Sequence, residues 1–430
     1  MSPETLAFVV FVFGMLGLMG IGMNMGLALV LTGAGMAWAL DFWDAQLLAQ
    51  NLVGGVDSFP LLAVPFFILA GELMNSGGIS RRIIDMAQAW VGHIRGGLGF
   101  VAIGAAMLMA SMSGSALADT AALATILLPM MRQQGYPMKT SAGLIASGGI
   151  IAPIIPPSMP LIIYGVTTNT SISSLFMAGI VPGLIMGLGL IVAWKLVLRK
   201  LELPAKQPLP LRERLRATGK AFWALLMPVI IIGGMKSGVF TPTEAAVVAA
   251  FYALFVALVV HREMRLAEIE GVLVRAAKTT AIVMFLCAGA QVASYMITLA
   301  DLPGVLGGWL GPLIEHPRLL MFAMMIVLIL IGSALDLTPT ILILAPVMLP
   351  IAVKAGIDPV YFGLMFVLNG TIGLITPPVG TVLNVVAGVG RMSLADVIRG
   401  VNPFLITYTL ILFLFVLFPQ FVIWPLAWLR

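Results

Sequence analysis

The chain has 430 residues, of which 60% are hydrophobic and only 10% charged, and its mean hydropathy is +1.09. Its 23 lysines and arginines and 18 acidic residues are too few to cover a water-exposed globule of 45.5 kDa, because soluble domains carry about 25% charged residues. The apolar content instead suffices for about ten or more helical membrane spans of roughly 20 residues each.

The apolar runs are continuous rather than alternating, which disfavours a transmembrane β-barrel and points to an all-α polytopic membrane protein. Other classes fall on the same inventory. The single cysteine, Cys287, excludes an intrachain disulfide or a cysteine-built metal site. His93, His261 and His316 lie far apart, so a zinc cluster is not expected. No GxxxxGK[ST] phosphate loop is present, so ATP hydrolysis by that route is not expected. The net charge of +5 does not argue for nucleic acid, since in a membrane protein the placement of Lys and Arg matters more than their sum. The opening MSPETLAFVV has neither a basic n-region nor a small-residue cleavage site and reads as the first span.

In chain order, the candidate spans are 5–22, 25–40 and 58–75, then a long apolar region over 96–194, then 222–236, 243–260, 279–300, 319–353, 359–389 and 402–428. Short amphipathic stretches at Ala45–Leu52, Ile79–Ala89 and Met264–Leu273 read as helices lying in the interface. The richest basic stretch carries Lys195, Arg199, Lys200, Lys206, Arg212, Arg214, Arg216 and Lys220 against only Glu202 and Glu213. Pro204, Pro208 and Pro210 make its first part a non-helical connector. The positive-inside rule places this connector in the cytoplasm. Counting spans outward puts Arg81, Arg82, Arg95, Arg132, Lys139, Arg262, Arg265, Arg275, Lys278, Arg391 and Arg399 on the same side. Only Lys236, Arg318, Lys354 and Arg430 remain opposite, and both termini then face the exterior or periplasm.

Two apolar stretches do not read as ordinary spans. From Gly96 to Met131 the only charge is Asp119, and from Met321 to Val353 the only charge is Asp336. Both contain GSAL just before the acid, at Gly114–Leu117 and Gly332–Leu335, and both carry a proline ten residues after it, Pro129 and Pro346. Downstream each is followed by a Pro-Pro break in an uncharged run, Pro156–Pro157 and Pro377–Pro378. The matching order reads as an internal duplication. The charge count brings the first segment in from the cytoplasmic side and the second from outside, so the copies are expected to be inverted re-entrant hairpins with Gly-Ser at their tips. A broken helix in each of two inverted halves is the sequence pointer to the midplane binding site of a secondary transporter. Helix ends at membrane depth are tolerated only where they line a polar cavity. Carbonyls and hydroxyls there suit Na⁺, and helix N-termini favour a carboxylate.

Small residues at the tips (Ser113, Gly114, Ser115; Gly332, Ser333) also serve plain helix packing, but the inverted duplication favours the binding role. Asp119 and Asp336 either face a ligand or brace their hairpins. Asn369, Gly370, Thr371 and Thr376 precede the second break, where Gly148 and Gly149 precede the first, so the second site is the richer in side-chain oxygens. Glu244 follows Thr241 and Thr243 and reads as part of a helix cap, Glu72 reads as structural, and the 28 methionines read as filler rather than a copper pathway.

The segments PFFILAGELMNSGGI (65–79), MSGSALADTAA (112–122), PPSMPLIIYG (156–165), AGIVPG (178–183), GVFTPTEAA (238–246) and TPPVG (376–380) resemble the large membrane subunit of tripartite ATP-independent periplasmic (TRAP) transporters, over essentially the whole chain. The resemblance implies a bacterial inner-membrane protein that pairs with a small four-helix membrane subunit and a periplasmic substrate-binding protein. It implies Na⁺-coupled uptake of an organic acid anion (C4-dicarboxylate, sugar acid or sialic acid), with no ATP and no organic cofactor. The fold implied is that of the divalent-anion/Na⁺ symporters, with inverted repeats, two re-entrant hairpins and two broken helices moving as an elevator.

Carried onto this chain, one Na⁺ site involves Ser113, Gly114, Ser115, Gly149 and Pro153, and the other Gly332, Ser333, Asn369, Gly370, Thr371 and Thr376. Substrate is expected at Ser115, Asp119, Pro156, Pro157 and Ser158 and at Asp336, Thr338, Pro377 and Pro378. The organisation expected is scaffold helices and an interfacial arm in 1–95, the first hairpin and broken helix in 96–170, a linking helix and basic loop in 171–220, a second scaffold and arm in 221–318, the second hairpin and broken helix in 319–390, and a C-terminal helix in 391–430. The alternative is a self-sufficient Na⁺/carboxylate symporter. An intramembrane enzyme is not expected, because no catalytic constellation or recognisable protease motif accompanies the two acids.

Overall fold

The computed structural model describes residues 3–199, 203, 205, 207–301, 304, 308 and 311–429. Lys200, Glu202, Pro204 and Lys206 of the basic connector, and Arg430, lie outside the described residues. All regular structure among the described residues is helical. The first half contains α1 (Pro3–Gly20), α2 (Met25–Ala39), α3 (Ala45–Gly54), α4 (Ala63–Ser76), α5 (Ile79–Val91), α6 (Gly97–Ser113), α7 (Ala116–Gln133), α8 (Met138–Gly149), α9 (Met159–Thr167) and α10 (Ile172–Leu198). The second contains α11 (Leu211–Lys236), α12 (Pro242–Phe255), α13 (Ile269–Leu299), α14 (Pro317–Gly332), α15 (Leu337–Lys354), α16 (Pro359–Gly373), α17 (Thr381–Gly390), α18 (Leu394–Leu417) and α19 (Gln420–Leu429).

Short polar side chains set many of the helix starts by accepting from otherwise orphaned backbone N–H groups. Asp358 Oδ1 accepts from Val360 and Tyr361 at 2.9 Å each, and Asp44 Oδ1 from Gln46 and Leu47 at 2.9 and 3.1 Å. Thr241 and Glu244 form a capping box on α12, as their spacing predicts. Seven described helical stretches are long and apolar enough to cross a membrane. The helices of the first hairpin, the first helix of the second, and both segments of the broken helices are shorter or less apolar than that, and each has one end at a turn or break.

The helices come together through glycine seams, since lipid offers no hydrophobic drive and close backbone approach must supply the packing. Helix α2 lies on α13, with Gly26 against Phe285 and Gly33 against Val292. Helix α8 lies on α18, where Gly143 and Gly400 meet backbone to backbone. Helix α7 of the first hairpin packs on α17 of the second half, and α15 on α9, so the two halves interleave.

Four expectations change. The stretch 264–273 is not a separate interfacial helix: after a short 3₁₀ turn at Leu266–Glu268 it runs straight into α13, so the span expected at 279–300 starts at Ile269. Nothing in 269–280 breaks the chain, and Arg275 is anchored at 3.0 Å to Glu72 and at 3.1 Å to Ser76. The span expected at 222–236 likewise begins at Leu211, immediately after Pro210. The last span, expected at 402–428, is two helices, because Pro419 pushes Phe418 out of the helical region (φ −126°, ψ 74°). Finally, the shared GSAL string does not occupy equivalent places. In the first hairpin it opens the turn at Gly114, whereas in the second Gly332 is still helical and the turn is Ser333–Asp336.

Ion pairs tie the arms at the basic end: Arg82 Nη2 to Glu263 Oε1 at 2.6 Å joins α5 to the turn after α12. The hydrogen bond from Arg82 holds the Glu263 carboxyl below the usual range. A lowered carboxyl contributes stability above its unfolded value of about 4.3 and loses it as pH falls through the lower folded value. With Glu263 47% exposed, screening leaves less than about 1 kcal/mol. Glu263→Gln is therefore expected to lower the thermal midpoint at pH 7 by about 1–2 °C, a difference that shrinks as pH falls below about 4 in the same melting assay.

Candidate functional site

Each hairpin tip rests on the break of its own half. In the first half α6 ends at Ser113, Gly114 turns the chain at φ +60°, and Ser115 caps α7 by accepting from Ala118 N–H at 3.4 Å. Only glycine suits position 114, for its left-handed backbone and for its neighbours: a Cβ there would stand 2.6 Å from the Pro157 carbonyl oxygen and 3.1 Å from Met159 N. The break runs from the end of α8 at Gly149 to the start of α9 at Met159, and Ser158 caps α9 while donating to the Pro153 carbonyl at 2.5 Å. Pro156–Pro157 is cis, and Ile150–Ser158 is wholly buried.

Asp119 is 1% exposed on the first turn of α7 and accepts from Ser113 Oγ at 2.5 Å. Ser113 Oγ in turn accepts from Ser115 N–H at 3.2 Å, so the acid, the hydroxyl and the turn form one chain. The other carboxylate oxygen, Oδ2, and the neighbouring Thr120 hydroxyl are buried without a hydrogen-bond partner among the described residues. Thr120 packs against Gly149, which brings the end of α8 to this point.

In the second half Val379 N–H donates to the Ser333 carbonyl at 3.2 Å, a main-chain bond from the break to the tip. Gly332 and Gly373 face each other, and a Cβ on Gly373 would stand 2.6 Å from the Gly332 carbonyl oxygen. Asp336 Oδ1 accepts from Thr381 Oγ1 at 3.2 Å, linking the start of α15 to the start of α17. Asn369 is fully buried, donates to the Met325 carbonyl at 2.7 Å and leaves its Oδ1 unpartnered. Thr371 and Thr376 donate to the carbonyls of Leu368 and Ile372, both at 2.7 Å, and Ser333 to that of Leu330 at 2.7 Å. Gly370 abuts Leu337, Thr338 is half-buried on the first turn of α15, and Pro377–Pro378 is cis.

Thus Ser113, Gly114, Ser115 and Asp119 converge with Gly149, Pro153, Pro157 and Ser158, and Gly332, Ser333 and Asp336 converge with Gly370 and the 374–381 break. The acids serve separate constellations: no hydrogen bond joins Asp119 to Asp336. The halves also differ in cover. The first break is sealed, whereas Ala334, Pro378 and Val379 are exposed. Sequence reasoning did not single out Thr120 or Thr381. The signal for Thr120 was its place beside Asp119, and for Thr381 its place at the first residue after a Pro-Pro break.

Residues 12–421 match the family model described as "Tripartite ATP-independent periplasmic transporter, DctM component". The chain is 53% identical to the 2,3-diketo-L-gulonate TRAP transporter large permease protein YiaN of Escherichia coli (strain K12), over 99% of this chain and 100% of the relative. It is 45% identical to the C4-dicarboxylate TRAP transporter large permease protein DctM of Pseudomonas aeruginosa, over 83% of this chain and 84% of that one. Among solved structures, the YdaH transporter of Alcanivorax borkumensis is similar in fold, with a TM-score of 0.61 at 17% identity, covering 89% of this chain and 90% of its own. A helical membrane architecture, two tip-on-break constellations and sequence similarity along nearly the whole chain converge: this chain belongs to the DctM family, the large membrane permeases of tripartite ATP-independent periplasmic transporters.

Proposed function

We propose that the chain is the translocating subunit for Na⁺-coupled uptake of an organic acid anion, of the sugar-acid class that the name of YiaN indicates for that relative. It receives the anion from a periplasmic binding protein and works beside a small four-helix membrane subunit in the bacterial inner membrane. The basic connector faces the cytoplasm and both termini face the periplasm. The hairpins and broken helices of 96–170 and 319–390 are inverted repeats that move together as an elevator against the remaining helices.

One observation carries the reading: in both halves a hairpin tip closes onto a helix break lined by oxygen atoms, with no Lys or Arg between Gly97 and Met131 or between Met321 and Val353. The donor set fits Na⁺. The hydroxyls of Ser113, Ser333, Thr371 and Thr376 each spend their proton on a protein acceptor, which leaves oxygen lone pairs for a cation. Asp119 Oδ2, Thr120 Oγ1 and Asn369 Oδ1 are buried oxygens without partners, and such groups are costly unless something pairs with them. Ser113, Gly114, Ser115, Gly149 and Pro153 would hold one Na⁺, and Gly332, Ser333, Asn369, Gly370, Thr371 and Thr376 the other. Bound there, Na⁺ supplies the positive charge that the site's own side chains lack. The anion then lies between the breaks, near Ser158, Pro156–Pro157, Thr338 and Pro377–Pro378, where the start of α9, capped by Ser158, and the start of α17, which has no side-chain cap, favour negative charge.

Uptake into proteoliposomes under a Na⁺ gradient, with and without the two partners, tests this. Transport is expected only with all three components; robust uptake by this chain alone would establish the self-sufficient symporter instead. Ser333→Ala and Asn369→Leu are expected to insert normally and to raise the Na⁺ concentration for half-maximal uptake by about tenfold, the value of one lost interaction of about 1.4 kcal/mol. Unchanged sodium dependence in Ser333→Ala would remove the second ion site.

A further inference from the structure

The residues beyond the two constellations hold a second polar space. On the face opposite the basic connector, at the Ser171 end of the 27-residue α10, two cavities of 270 and 560 Å³ meet and share Ser58, Val166 and Asn169. Helix α10 rises about 40 Å at 1.5 Å per residue, so this space and the basic connector lie at opposite ends of a full span. The inner cavity is built by two sets of elements. One wall is Gly54–Gly55 at the end of α3 and Cys287, Gln291 and Ser294 of α13; the other is the end of α9 and Leu342 of α15. The first wall comes from the flanking helices and the second from the broken helix and hairpin, so the space sits on the seam between them.

The inner cavity of 270 Å³ is lined mainly by polar surface and the outer one of 560 Å³ mainly by apolar surface. Ser58 and Asn169 line both, Thr167, Gln291 and Ser294 the inner and Thr243 the outer, and no Asp, Glu, Lys or Arg among the described residues lines either. Asn169 is held at φ +53°, where asparagine is among the few residues that settle readily. Asn169 and Gln291 are exposed and Ser58 is half-buried, and none of these three side chains has a hydrogen-bond partner among the described residues, so all three are open to a solute. A compact dicarboxylate brings two negative charges that no side chain there neutralises, and it offers acceptors only, so the amide carbonyls of Asn169 and Gln291 find no donor on it. A chain of hydroxyl groups offers donors and acceptors that match these side chains one for one.

We propose that this seam is an outer binding site for polyhydroxylated carboxylates, taken by their hydroxyl groups before the anion reaches the tip-and-break constellations. The proposal rests on the reading of the chain as an organic-anion translocator and adds to it a station that selects sugar acids over C4-dicarboxylates. Cys287, the chain's sole cysteine and 4% exposed, lines the inner cavity and reports on it without taking part.

The test is the rate at which a small thiol reagent alkylates Cys287 in the full chain in membrane vesicles, with gluconate or succinate added. Gluconate at ten times its Kd is expected to slow alkylation about tenfold, while succinate at the same concentration leaves it unchanged. Asn169→Leu and Gln291→Leu are expected to abolish the protection, and Asn169→Gln to restore part of it, with unchanged thermal midpoints showing that the fold survives. Equal protection by both anions, protection by neither, protection that persists in Asn169→Leu, or a Cys287 that never reacts would each overturn the outer site. The translocation reading fails separately, through absence of Na⁺-driven uptake in the three-component proteoliposomes.

Discussion

Gly400→Ala is expected to lower stability by about 3 kcal/mol, at the upper end of what overpacking costs. A Cβ at position 400 would press into the carbonyl of Lys139, and one at Gly143 into the backbone of Gly400 and Val401. Neither neighbour can turn away as a side chain would, because both are main chain of α8 and α18. The helices would have to part, and two further links on the same seam would part with them: the Lys139–Asp396 pair at 2.8 Å and the Tyr408 hydroxyl donating to the Ser147 carbonyl at 2.8 Å. The readout is the thermal midpoint and the monodisperse fraction of detergent-solubilised protein. Gly143→Ala should match it, and the double variant should cost less than the sum, since both remove one contact. Gly104→Ala is the control: its Cβ meets nothing within 4 Å, so the helix-propensity gain of up to about 1 kcal/mol stands alone. An unchanged midpoint in Gly400→Ala would mean that α8 and α18 can separate at no cost.

Asp119→Ala is expected to cut Na⁺-dependent uptake by about ten- to a hundredfold, the equivalent of a lost charge-assisted hydrogen bond of about 1.5–3 kcal/mol. The carboxylate orients Ser113, whose oxygen in turn accepts from Ser115 N–H, so its removal frees both residues of the first tip. Asp119→Asn separates the two roles left open by the sequence. It keeps an acceptor for Ser113 but replaces the buried, unpartnered Oδ2 with an amide. If the acid only braces the tip, asparagine restores uptake; if Oδ2 belongs to the ion site, asparagine is as deficient as alanine. The unpartnered oxygen beside an equally unpartnered Thr120 favours the second outcome. Asp336→Asn is expected to do less, because Asp336 is only half-buried and its link to Thr381 is longer, at 3.2 Å.

Proline, glycine and charge made most of the framework legible. Pro-Pro pairs at 156–157 and 377–378 mark the breaks because proline cannot continue a helix ladder, and lone acids in apolar runs mark the hairpins because the membrane tolerates so few. What stayed hidden depends on partners distant in the chain. Thr381 becomes meaningful only when it meets Asp336, 45 positions away, and Thr120 only when Gly149 packs against it, 29 positions away. The equivalence of the GSAL strings misled for a related reason: four identical letters can straddle a helix end at different offsets, and only the backbone at Gly114 and Gly332 decides which residue turns. The start of α13 at Ile269 escaped because Arg275 and Lys278 count among the cytoplasmic charges that set the expected span's edge at 279, whereas Arg275 lies within α13 and is committed to Glu72.

The unequal cover of the two breaks has a kinetic consequence. A solute held at the second break, beside exposed Pro378 and Val379, can exchange with the surroundings by motions of a single turn. One held at the first break, beneath buried Ile150–Ser158, would need the covering segments to move before it could leave. Under the proposed two-ion reading the sealed position would load early and unload late, while the open one would flicker. A transport cycle built on this asymmetry would show one rapidly exchanging and one nearly trapped ion, so that reversing the gradient empties the two positions at very different speeds.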